Sequence, residues 1–488
     1  MADVLLTHSY HLAYDRKQVR KMQPYPPLAT LYAAALLRES GISVAVHDTM
    51  LTEVGEFSNA LAEHRPKIVA VYDDDFNFLT KMCLTNMREV SWNFALQARA
   101  AGALVLAHGS DAADHSAAYL DNSFDAVLLG EAEQGLLEVC TRALKGDSWE
   151  DVPGLVLKHG KRIISNSPRR PSDWIEALPE PARDLIDLEP YRKAWTEAHG
   201  YFSLNVVSSR GCPFRCNWCA KPIFGDHFAL RSPQSVAKEL MRLREEYGAE
   251  HVWFADDIFG LNRHWIQAFA REVERLGCAL PFKIQTRAEL LTAATVDALK
   301  RAGCNEVWMG VESGSQTVLD AMEKGLTPLD AVRARERLRV AGIRACFFLQ
   351  FGYPGERWED LQKTIELVRN TRPDDIGVSL SYPLPNTKFY AMVQEQMGRK
   401  RNWRDSDDLC VIFKGAYTDD FYRAVRDALH CEVDSWHGRT TAEEVAERWG
   451  TVWDLEPVSR NADPTEIIPN QVSEFVPISS IQPCGREA

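Results

Sequence analysis

Three cysteines in one short run are the residues of this chain with the most clearly defined chemistry. Cys212, Cys216 and Cys219 lie in the segment RGCPFRCNWCAKP with the spacing C-x3-C-x2-C, on a loop that Gly211 opens after a strand-like stretch. Thiolates bind soft metals and iron–sulfur clusters. A closed structural zinc site needs four ligands, whereas this run supplies three. The run therefore predicts a [4Fe–4S] cluster with one iron left open; the alternatives are three unrelated thiols or a partial zinc knuckle.

Two groups of carboxylates follow predicted strands. Residues 73–75 are three aspartates after the apolar stretch 68–72, and Asp256 and Asp257 follow the stretch 251–255. Carboxylates at strand ends can line a ligand cleft, or they can cap a turn or a helix without any chemical role. Both interpretations stay open for these aspartates.

The composition is that of an ordinary globular protein of 488 residues. No apolar run approaches the roughly 20 residues of a membrane span, and the first residues lack a signal sequence. A formal net charge of −13 argues against a nucleic-acid partner, because duplex binding needs a basic surface. The other eight cysteines are scattered singly, which indicates reduced thiols rather than a disulfide framework. We therefore expect a cytoplasmic protein with no membrane span and no nucleic-acid partner.

Two stretches of alternating strand and helix patterns divide the chain. In residues 1–145, strands are expected near residues 3–6, 42–47, 68–72, 104–107 and 126–129, with helices between them, including one from Pro27 to Gly41 and one over 52–62 with Thr52 as its N-cap. This spacing predicts an α/β fold with a doubly wound parallel sheet. Ligands of such sheets bind outside the carboxyl ends of the strands, so the loops at 9–14, 73–75, 108–111 and 130–131 are the expected binding loops.

The second alternation, in residues 201–390, is longer and more regular. Strands are expected at 204–208, 251–255, 282–286, 305–311, 343–350 and 375–380, with a helix after each of the first five. Six such units predict a partial (β/α)6 barrel with its chemistry on the loops after the strands, and the cysteine run lies on the first of these loops. Residues 146–200 are expected to form a linker with a small hairpin. Residues 391–488 form a C-terminal region, which we expect to shape the substrate pocket, and its tail after 455 is expected to be flexible.

The second alternation resembles the partial barrel of the radical S-adenosylmethionine (SAM) superfamily along nearly its whole length. Besides the cysteine run, the resemblance rests on VWFADDIFGLN (252–262), IQTRAELL (284–291), VWMGVESGS (307–315), FFLQFGYPGE (347–356) and SYPLPNTKFY (381–390). In that superfamily the three cysteines ligate a [4Fe–4S] cluster, and its open iron chelates the amino and carboxylate groups of SAM.

The resemblance implies contacts with SAM for five further residues. Trp218 takes the place of an aromatic residue near the adenine, Gly352 belongs to a stretch near the adenine, and Arg287, Glu312 and Ser313 would hold SAM itself. For the last three, a surface salt bridge and a helix cap remain the alternative.

Residues 1–145 resemble the cobalamin-binding, flavodoxin-like (Rossmann-like) domain that precedes the barrel in one radical SAM subgroup. The resemblance rests on QPYPPLATLYAAALLRESG (23–41), SFDAVLLGEAEQGLLEV (123–139) and the connector ALPEPARDLIDL (177–188). It implies cobalamin contacts for Asp74, Gly109, Ser110, Gly130 and Glu131. The motif Asp-x-His-x-x-Gly, whose histidine ligates cobalt, is absent, which implies water or no lower ligand. A vestigial or interaction domain is the alternative.

The resemblance to this subgroup implies a class B methyltransferase-like enzyme. It would cleave SAM to a 5′-deoxyadenosyl radical and methylate an unactivated carbon, or phosphorus, of a small molecule or natural-product intermediate. Flavodoxin or ferredoxin would supply the electron. The alternatives are a cobalamin-containing oxidative cyclase or rearrangement enzyme without methyl transfer, transfer-RNA methylthiolation, and an iron–sulfur sensor that does not cleave SAM. The sequence does not identify the substrate.

Overall fold

The structure, a computed structural model, describes residues 1–82, 84–169, 174–221, 223–408 and 410–461. Its first part is a sheet of seven strands in the order β2-β1-β3-β4-β5-β6-β7, in which the first five are parallel and the last two antiparallel. The strands are β1 (Val4–Thr7), β2 (Val44–His47), β3 (Ile68–Tyr72), β4 (Leu104–His108), β5 (Ala126–Leu128), β6 (Leu155–His159) and β7 (Arg162–Ser165). The reversal of strand order at β1 makes this a doubly wound sheet, as expected.

Helices cover both faces of this sheet. They are α1 (Arg16–Lys21), α2 (Leu28–Glu39), α3 (Phe57–His64), α4 (Phe78–Lys81), α5 (Thr85–Ala100), α6 (Ser110–Asp114), α7 (Ser116–Asp121) and α8 (Glu133–Lys145). Strand β3 is buried at all five positions, as is typical of a strand with helices on both faces. The helix expected over 52–62 begins only at Phe57, because Glu53 and Glu56 form a capping box around a short 3-10 turn, and Thr52 donates to the carbonyl of Asp48 instead of acting as the cap.

The segment expected to be a linker has defined structure of its own. Its hairpin, β6 and β7, pairs with β5 and so extends the first sheet. A helix, α9 (Glu189–His199), follows two 3-10 turns, Trp174–Ala177 and Arg183–Leu185. Pro190 lies in the first turn of α9, where its missing N–H costs nothing, and Gly200 ends the helix in the left-handed conformation.

The second part is a six-stranded parallel sheet in the order β15-β14-β13-β12-β11-β8, which is a partial barrel. Its strands are β8 (Ser203–Val206), β11 (His251–Phe254), β12 (Phe282–Thr286), β13 (Cys304–Glu312), β14 (Arg344–Phe351) and β15 (Asp375–Leu380), with the small pair β9 (Ser209–Arg210) and β10 (Ala229–Leu230) after β8. The helices are α10 (Pro233–Glu245), α11 (Arg263–Leu276), α12 (Ala293–Ala302), α13 (Gln316–Ala321), α14 (Pro328–Ala341), α15 (Trp358–Thr371) and α16 (Lys388–Val393). The expected α/β fold, with a doubly wound sheet followed by a partial barrel, is confirmed.

Two further helices, α17 (Asp419–Ser435) and α18 (Ala442–Leu455), form the C-terminal region. Helix α17 packs on β15, the edge strand of the barrel, and its buried residues Phe421, Val425 and Leu429 join the barrel core. The expected flexible tail after 455 lies mostly in residues 462–488, outside the described residues. Among the described residues, no helix combines the length and apolarity needed to cross a membrane.

Candidate active site

The cysteine run begins at a glycine that no other residue can replace without movement of the backbone. Gly211 has φ 78°, and a Cβ at this position would lie 1.9 Å from the carbonyl oxygen of His227. The loop after Gly211 carries Cys212, Cys216 and Cys219, all partly exposed and free. Gly211 therefore sets the path by which the chain leaves β9 and presents the thiols.

Two polar residues inside the run form hydrogen bonds that shape this loop, one within the loop and one to the barrel. The ammonium of Lys221 donates to the carbonyls of Cys212 and Phe214, each at 2.7 Å, and pairs with Asp226. The side chain of Asn217 donates to the carbonyl of Ala321 at 2.6 Å. Lys221 thus closes the loop on itself, and Asn217 bonds the middle of the run to the end of α13.

Arg287, at the end of β12, contacts the cysteine loop directly. Its Nη1 lies 3.7 Å from the sulfur of Cys216, and its Nη2 donates to the carbonyl of Lys324 at 2.6 Å. Its guanidinium also stacks 3.9 Å above the ring of Phe214 and pairs with Glu289. Arg287 is only 5% exposed, so its ion pair with Glu289 is buried and is not a surface salt bridge.

Burial disfavours the thiolate form of these cysteines. It raises the pKa of Cys212 to about 11 and that of Cys219 to about 12, and the neighbouring cysteines and Asp257 add to the effect. A thiol of this kind becomes a thiolate only when a metal displaces its proton. Among the described residues, no three His, Cys, Asp or Glu side chains converge on a single ion. Cysteines that each bind a different iron of a cluster need not converge in this way, so the donor set fits a [4Fe–4S] cluster.

A buried ion pair lies at the end of β13. Glu312 accepts a hydrogen bond from the ammonium of Lys324 at 2.7 Å, and both side chains are nearly fully buried. Glu312 also has φ 63°, a conformation that residues other than glycine rarely adopt and that is typical of functional sites. A Cβ at Gly310 would lie 2.8 Å from both charged groups, so the pair lies directly over the backbone of that glycine.

The remaining residues expected to contact SAM differ in their surroundings. Ser313 is fully buried, and its hydroxyl lies 3.2 Å from that of Thr364 in α15 and accepts from the amide of Ser315. Gly352 has φ 78°, and a Cβ there would lie 3.1 Å from Val411, so this glycine makes room for the C-terminal region. Trp218 lies beside Lys324, and its indole N–H is buried without a hydrogen-bond partner among the described residues.

The two aspartates at the end of β11, Asp256 and Asp257, have different partners. Asp256 is buried and accepts hydrogen bonds from the amide and hydroxyl of Ser208 and from the hydroxyl of Ser209, which fixes the chain just before the cysteine loop. Burial raises the pKa of Asp256 to about 6 despite these bonds. Asp257 forms an ion pair with Lys81, the last residue of α4, and so joins the barrel to the first sheet.

The aspartates after β3 lie at the carboxyl edge of the first sheet. Asp73 accepts from the amide and hydroxyl of Ser9, at 2.7 and 2.8 Å, and Asp74 accepts from the amides of Ala29 and Phe76. Burial raises the pKa of Asp74 to about 6. Asp74 thus caps the first turn of α2. This contact agrees with the alternative that these carboxylates cap a turn or a helix.

Asp75 forms a buried pair with His108 at the ends of β3 and β4. One carboxylate oxygen lies 2.6 Å from Nε2 of the imidazole, whose Nδ1 lies 3.1 Å from the carbonyl oxygen of Leu128. Burial disfavours the imidazolium, yet Asp75 holds the pKa of His108 above its ordinary value. Since both ring nitrogens have partners, His108 has no lone pair to offer a cobalt ion.

Several buried polar atoms at this edge have no hydrogen-bond partner among the described residues. They include Oδ1 of Asp75, the hydroxyl of Ser110 and Oε2 of Glu133. A buried polar atom without a partner costs free energy, so such a group of atoms indicates a missing polar ligand. The amide side chains around a corrin ring would supply both donors and acceptors, and therefore these residues fit cobalamin.

The loop after β5 is bonded to the start of the cysteine loop. Arg210, immediately before Gly211, pairs with Glu133 and lies 3.6 Å from Glu131, and all three side chains are nearly fully buried. Gly109 and Gly130 have φ 134° and 66°, and a Cβ at Gly109 would lie 2.9 Å from that of Asp73. The loop after β5 and the cysteine loop are therefore joined by a direct, buried ion pair.

Aromatic side chains line the region between the two sheets. The ring of Tyr382, after β15, lies 6.4 Å from that of Trp218 and 5.6 Å from that of Trp403 in the C-terminal region. Phe78 in α4 lies 6.4 Å from Tyr382 on the other side. Tyr382 thus contacts aromatic rings of the cysteine loop, of the C-terminal region and of the first part of the chain.

Sequence reasoning did not single out four residues of this site, namely Lys81, Arg210, Asn217 and Lys324. Two of them had a usable signal, because Arg210 and Asn217 lie in the cysteine run itself. Lys81 ends the short helix α4 and Lys324 lies in the loop after α13, and only the tertiary structure brings their ammonium groups to Asp257 and Glu312.

Comparison with protein families agrees with this geometry. Residues 206–368 match the model of the Radical SAM superfamily. An uncharacterized methyltransferase of Pyrococcus horikoshii is 27% identical over 292 residues, which are 59% of this chain and 62% of the relative. The anaerobic magnesium-protoporphyrin IX monomethyl ester cyclase of Cereibacter sphaeroides is 25% identical over 56% of this chain and 45% of its own length. The chain thus spans less than two thirds of these relatives. Hopanoid C-3 methylase of Methylococcus capsulatus is 23% identical over 81% of this chain and 73% of the methylase.

Solved structures share the whole architecture. The radical SAM methyltransferase TsrM of Kitasatospora setae was solved with cobalamin and a [4Fe–4S] cluster bound. It superimposes on this chain with a TM-score of 0.67 at 20% identity, and the match covers 81% of this chain and 78% of the TsrM chain. The cobalamin-dependent radical SAM enzyme OxsB, with aqua-cobalamin and SAM bound, superimposes with a TM-score of 0.70 at 15% identity over 94% of this chain and 71% of its own. At these identities the comparison establishes the two-domain fold.

Proposed function

We infer that this chain is an enzyme that methylates an unactivated carbon, or phosphorus, of a small molecule. It belongs to the radical SAM superfamily and has the two-domain fold of the cobalamin-dependent members. The observation that carries this proposal is the buried ion pair of Arg210 with Glu133. It holds the cysteine loop opposite the loops of the first sheet where buried polar atoms lack partners. A substrate between the two sheets would therefore meet both cofactor sites.

The residues of the barrel have complementary roles in this proposal. Cys212, Cys216 and Cys219 would hold the cluster. Glu312 and Lys324 present one carboxylate and one ammonium, which are the charges that match the ammonium and carboxylate of SAM. When bound, the cluster and SAM supply a radical that abstracts hydrogen from carbon, and cobalamin supplies the methyl group.

Other side chains would position these groups and keep water out. Arg287 donates toward the sulfur of Cys216, and Asp256 fixes the serines that precede the cysteine loop. The loops of the first sheet, with Asp75, Ser110 and Glu133, would bind the corrin rim. Because both nitrogens of His108 have partners, we propose that the cobalt has water or no lower ligand.

The remaining partners follow from this chemistry. A reductant protein such as flavodoxin or ferredoxin would deliver the electron. Iron–sulfur assembly and nine free cysteines among the described residues fit a reducing compartment such as the cytoplasm.

Anaerobic reconstitution followed by product analysis tests the proposal. We expect a cluster spectrum and a cobalamin spectrum together, and both 5′-deoxyadenosine and S-adenosylhomocysteine as products, because methyl donation leaves S-adenosylhomocysteine. Replacing any one of Cys212, Cys216 or Cys219 by alanine is expected to abolish 5′-deoxyadenosine formation. Cys431→Ala is the control, since Cys431 lies in α17, away from the cysteine run. An intact, equally active enzyme after one of the three replacements contradicts the proposal.

A second candidate is a cobalamin-containing enzyme that cyclises or rearranges its substrate without methylation. The relatives named as magnesium-protoporphyrin cyclases favour it. This candidate predicts 5′-deoxyadenosine without S-adenosylhomocysteine, so the same assay separates the two functions.

A further inference from the structure

The inner face of the partial barrel carries two partly exposed aromatic side chains on its central strands. In β13, Val307 and Met309 are fully buried, and helix α14 packs on this strand and on β14. Because alternate residues of a strand point to opposite faces, Trp308 faces the barrel interior, and the same pattern in β14 turns Phe348 inward. Both side chains are partly exposed, so the interior contains accessible space beside them.

The two rings stack on each other and lie over a glycine of the edge strand. The ring centroids of Trp308 and Phe348 are 4.7 Å apart, and the ring planes differ by 27°. Gly377 in β15 is the neighbour of Phe348, and a Cβ there would lie 3.1 Å from Phe348 and 3.3 Å from Trp308. A side chain at this position would push both rings away from the sheet. Gly377 therefore leaves room in the interior above the rings.

A polar side chain lies beside this aromatic pair. Gln285 is the neighbour of Trp308 across the strands β12 and β13, and it is partly exposed. Within the part of the chain that the structure describes, its side-chain amide forms no hydrogen bond. Ser379 in β15 is partly exposed as well, and its hydroxyl donates to the carbonyl of Leu349 at 3.3 Å. Since an amide both donates and accepts, Gln285 can bond to a ligand that lies on the rings.

Aromatic residues of other segments cover the end of the interior at which the strands begin. The hydroxyl of Tyr25 lies 3.2 Å from that of Ser203, the first residue of β8, and its ring lies 4.8 Å from that of Trp253 in β11. Trp195 of α9 lies 5.1 Å from the ring of Tyr25 and donates to the carbonyl of Pro24 at 2.7 Å. The opposite end of the interior lies beside the cysteine loop, and a ligand can enter there.

The aromatic pair lies one short molecule away from the strand ends. Trp308 precedes Glu312 by four residues in β13, and Phe348 precedes Gly352 by four residues. With a rise of about 3.3 Å per residue, the pair lies about 13 Å from the strand ends that carry the site residues. A ligand on the rings therefore extends from the middle of the barrel towards the cysteine loop.

We propose that the substrate contains a flat aromatic or conjugated ring system, which packs against Trp308 and Phe348 and bonds to the amide of Gln285. This proposal rests on the proposed function, because it names the substrate class of that enzyme. Stacking stabilises a pair of aromatic rings beyond the burial of their area, so such a site favours flat rings over saturated ones. The carbon that reacts then lies at the end of the substrate nearest to Glu312.

Calorimetric titration of the reconstituted holoenzyme tests the site. It is carried out with SAM bound, so that the adenine site is filled. The two probes are naphthalene carboxamide and its fully saturated counterpart, decalin carboxamide, which carry the same amide group and differ in flatness. We expect the flat probe to bind at least about fivefold more tightly than the saturated one.

Variants of the three lining residues separate stacking from hydrogen bonding. Trp308→Leu and Phe348→Leu are each expected to lose most of the preference for the flat probe, whereas Trp308→Phe keeps a flat ring and should retain it. Gln285→Leu should weaken both probes alike, by up to about tenfold, because it removes a hydrogen bond and leaves the rings in place. Trp453→Leu is the control, because Trp453 is 53% exposed on α18, and it should bind both probes as the unaltered protein does.

Equal affinity for the two probes overturns the proposal, as does failure of the flat probe to bind. An undiminished preference in Trp308→Leu and Phe348→Leu also overturns it, and if one of these variants does not fold, the other decides the question. The same preparations are assayed for 5′-deoxyadenosine. Ring-dependent binding without SAM cleavage contradicts the proposed function but not the ring site, and SAM cleavage without a preference for the flat probe contradicts the ring site alone.

Discussion

The guanidinium of Arg287 lies 3.7 Å from the sulfur of Cys216, and the two residues come from loops at the ends of different strands, β12 and β8. A cationic donor beside a cluster sulfur favours the reduced, more negative state of the cluster. The sequence places the two residues 71 positions apart. Their contact depends on the parallel barrel, which brings the ends of its strands to one edge.

Replacement of Arg287 by methionine is expected to lower the midpoint potential of the cluster. The loss of one hydrogen bond from a charged donor corresponds to about 1.5 kcal/mol in favour of the oxidised state. Arg287→Lys should give an intermediate potential, because lysine keeps the charge but not the planar fork. A redox titration followed by electron paramagnetic resonance measures both variants. An unchanged potential in Arg287→Met would show that this contact has no electrostatic role.

Replacement of Gly211 by alanine is expected to displace the cysteine loop. The new Cβ would lie 1.9 Å from the carbonyl oxygen of His227, so the backbone must move. We expect a several-fold loss of bound iron after reconstitution. Gly225→Ala is the matched control: it has φ 59° and no atom within 4 Å of its Cβ, and it should cost only about 1 kcal/mol and keep its iron. Equal iron contents in the two variants would contradict this role of Gly211.

The ion pair between Arg210 and Glu133 is expected to govern how the two parts of the chain hold together. Arg210→Met leaves the buried carboxylate of Glu133 without its partner and should destabilise the protein by about 3–5 kcal/mol. The double variant Arg210→Met/Glu133→Leu should recover much of this loss, because it also removes the carboxylate that Arg210 bonds most closely. Urea denaturation measures the three proteins.

The exposed pair of Arg99 with Asp125 provides the control for this measurement. Its arginine is 55% exposed, and Arg99→Met should therefore cost less than about 1 kcal/mol. If Arg210→Met costs as little as the control, the buried pair does not hold the two parts together.

Glu356 is expected to make the stability of the protein depend on pH. Burial raises the pKa of this fully buried carboxyl to about 8, even though it accepts from the amide of Gly352. The folded protein therefore binds the proton more tightly than the unfolded chain. The corresponding stability is present below pH 4.5 and is lost as the pH rises to about 8, by at most about 5 kcal/mol.

Glu356→Gln removes this dependence, because the amide keeps the acceptor and has no proton to lose. We expect equal stability of the two proteins near pH 4.5 and a more stable variant at pH 8.5, measured by urea denaturation at both values. Glu306→Gln, at a partly exposed carboxylate of the barrel, is the comparison that should not gain stability at high pH. A difference between Glu356→Gln and the unaltered protein that stays constant with pH would contradict the prediction.

Much of the fold could be predicted because strand and helix patterns depend on neighbouring residues. The strands β12 and β15 have the bounds that the alternation predicts, 282–286 and 375–380. Differences arose where local bonds competed with these patterns, as at Glu53, which caps the turn in place of Thr52. The segment 146–200 was expected to be a linker, yet its hairpin joins the first sheet, because strand pairing is a tertiary contact that no local pattern specifies.

The sequence by itself determined the reactive chemistry: three thiols at C-x3-C-x2-C spacing after a strand are a property of residue type and order. The tertiary structure decided which charges meet. Lys324 with Glu312, Lys81 with Asp257 and Arg210 with Glu133 are pairs between segments that share no motif. The physical reason is the distance along the chain over which each effect acts. Backbone preference and ligand spacing act over a few residues, whereas burial and ion pairing depend on distances in space that only the packed chain defines.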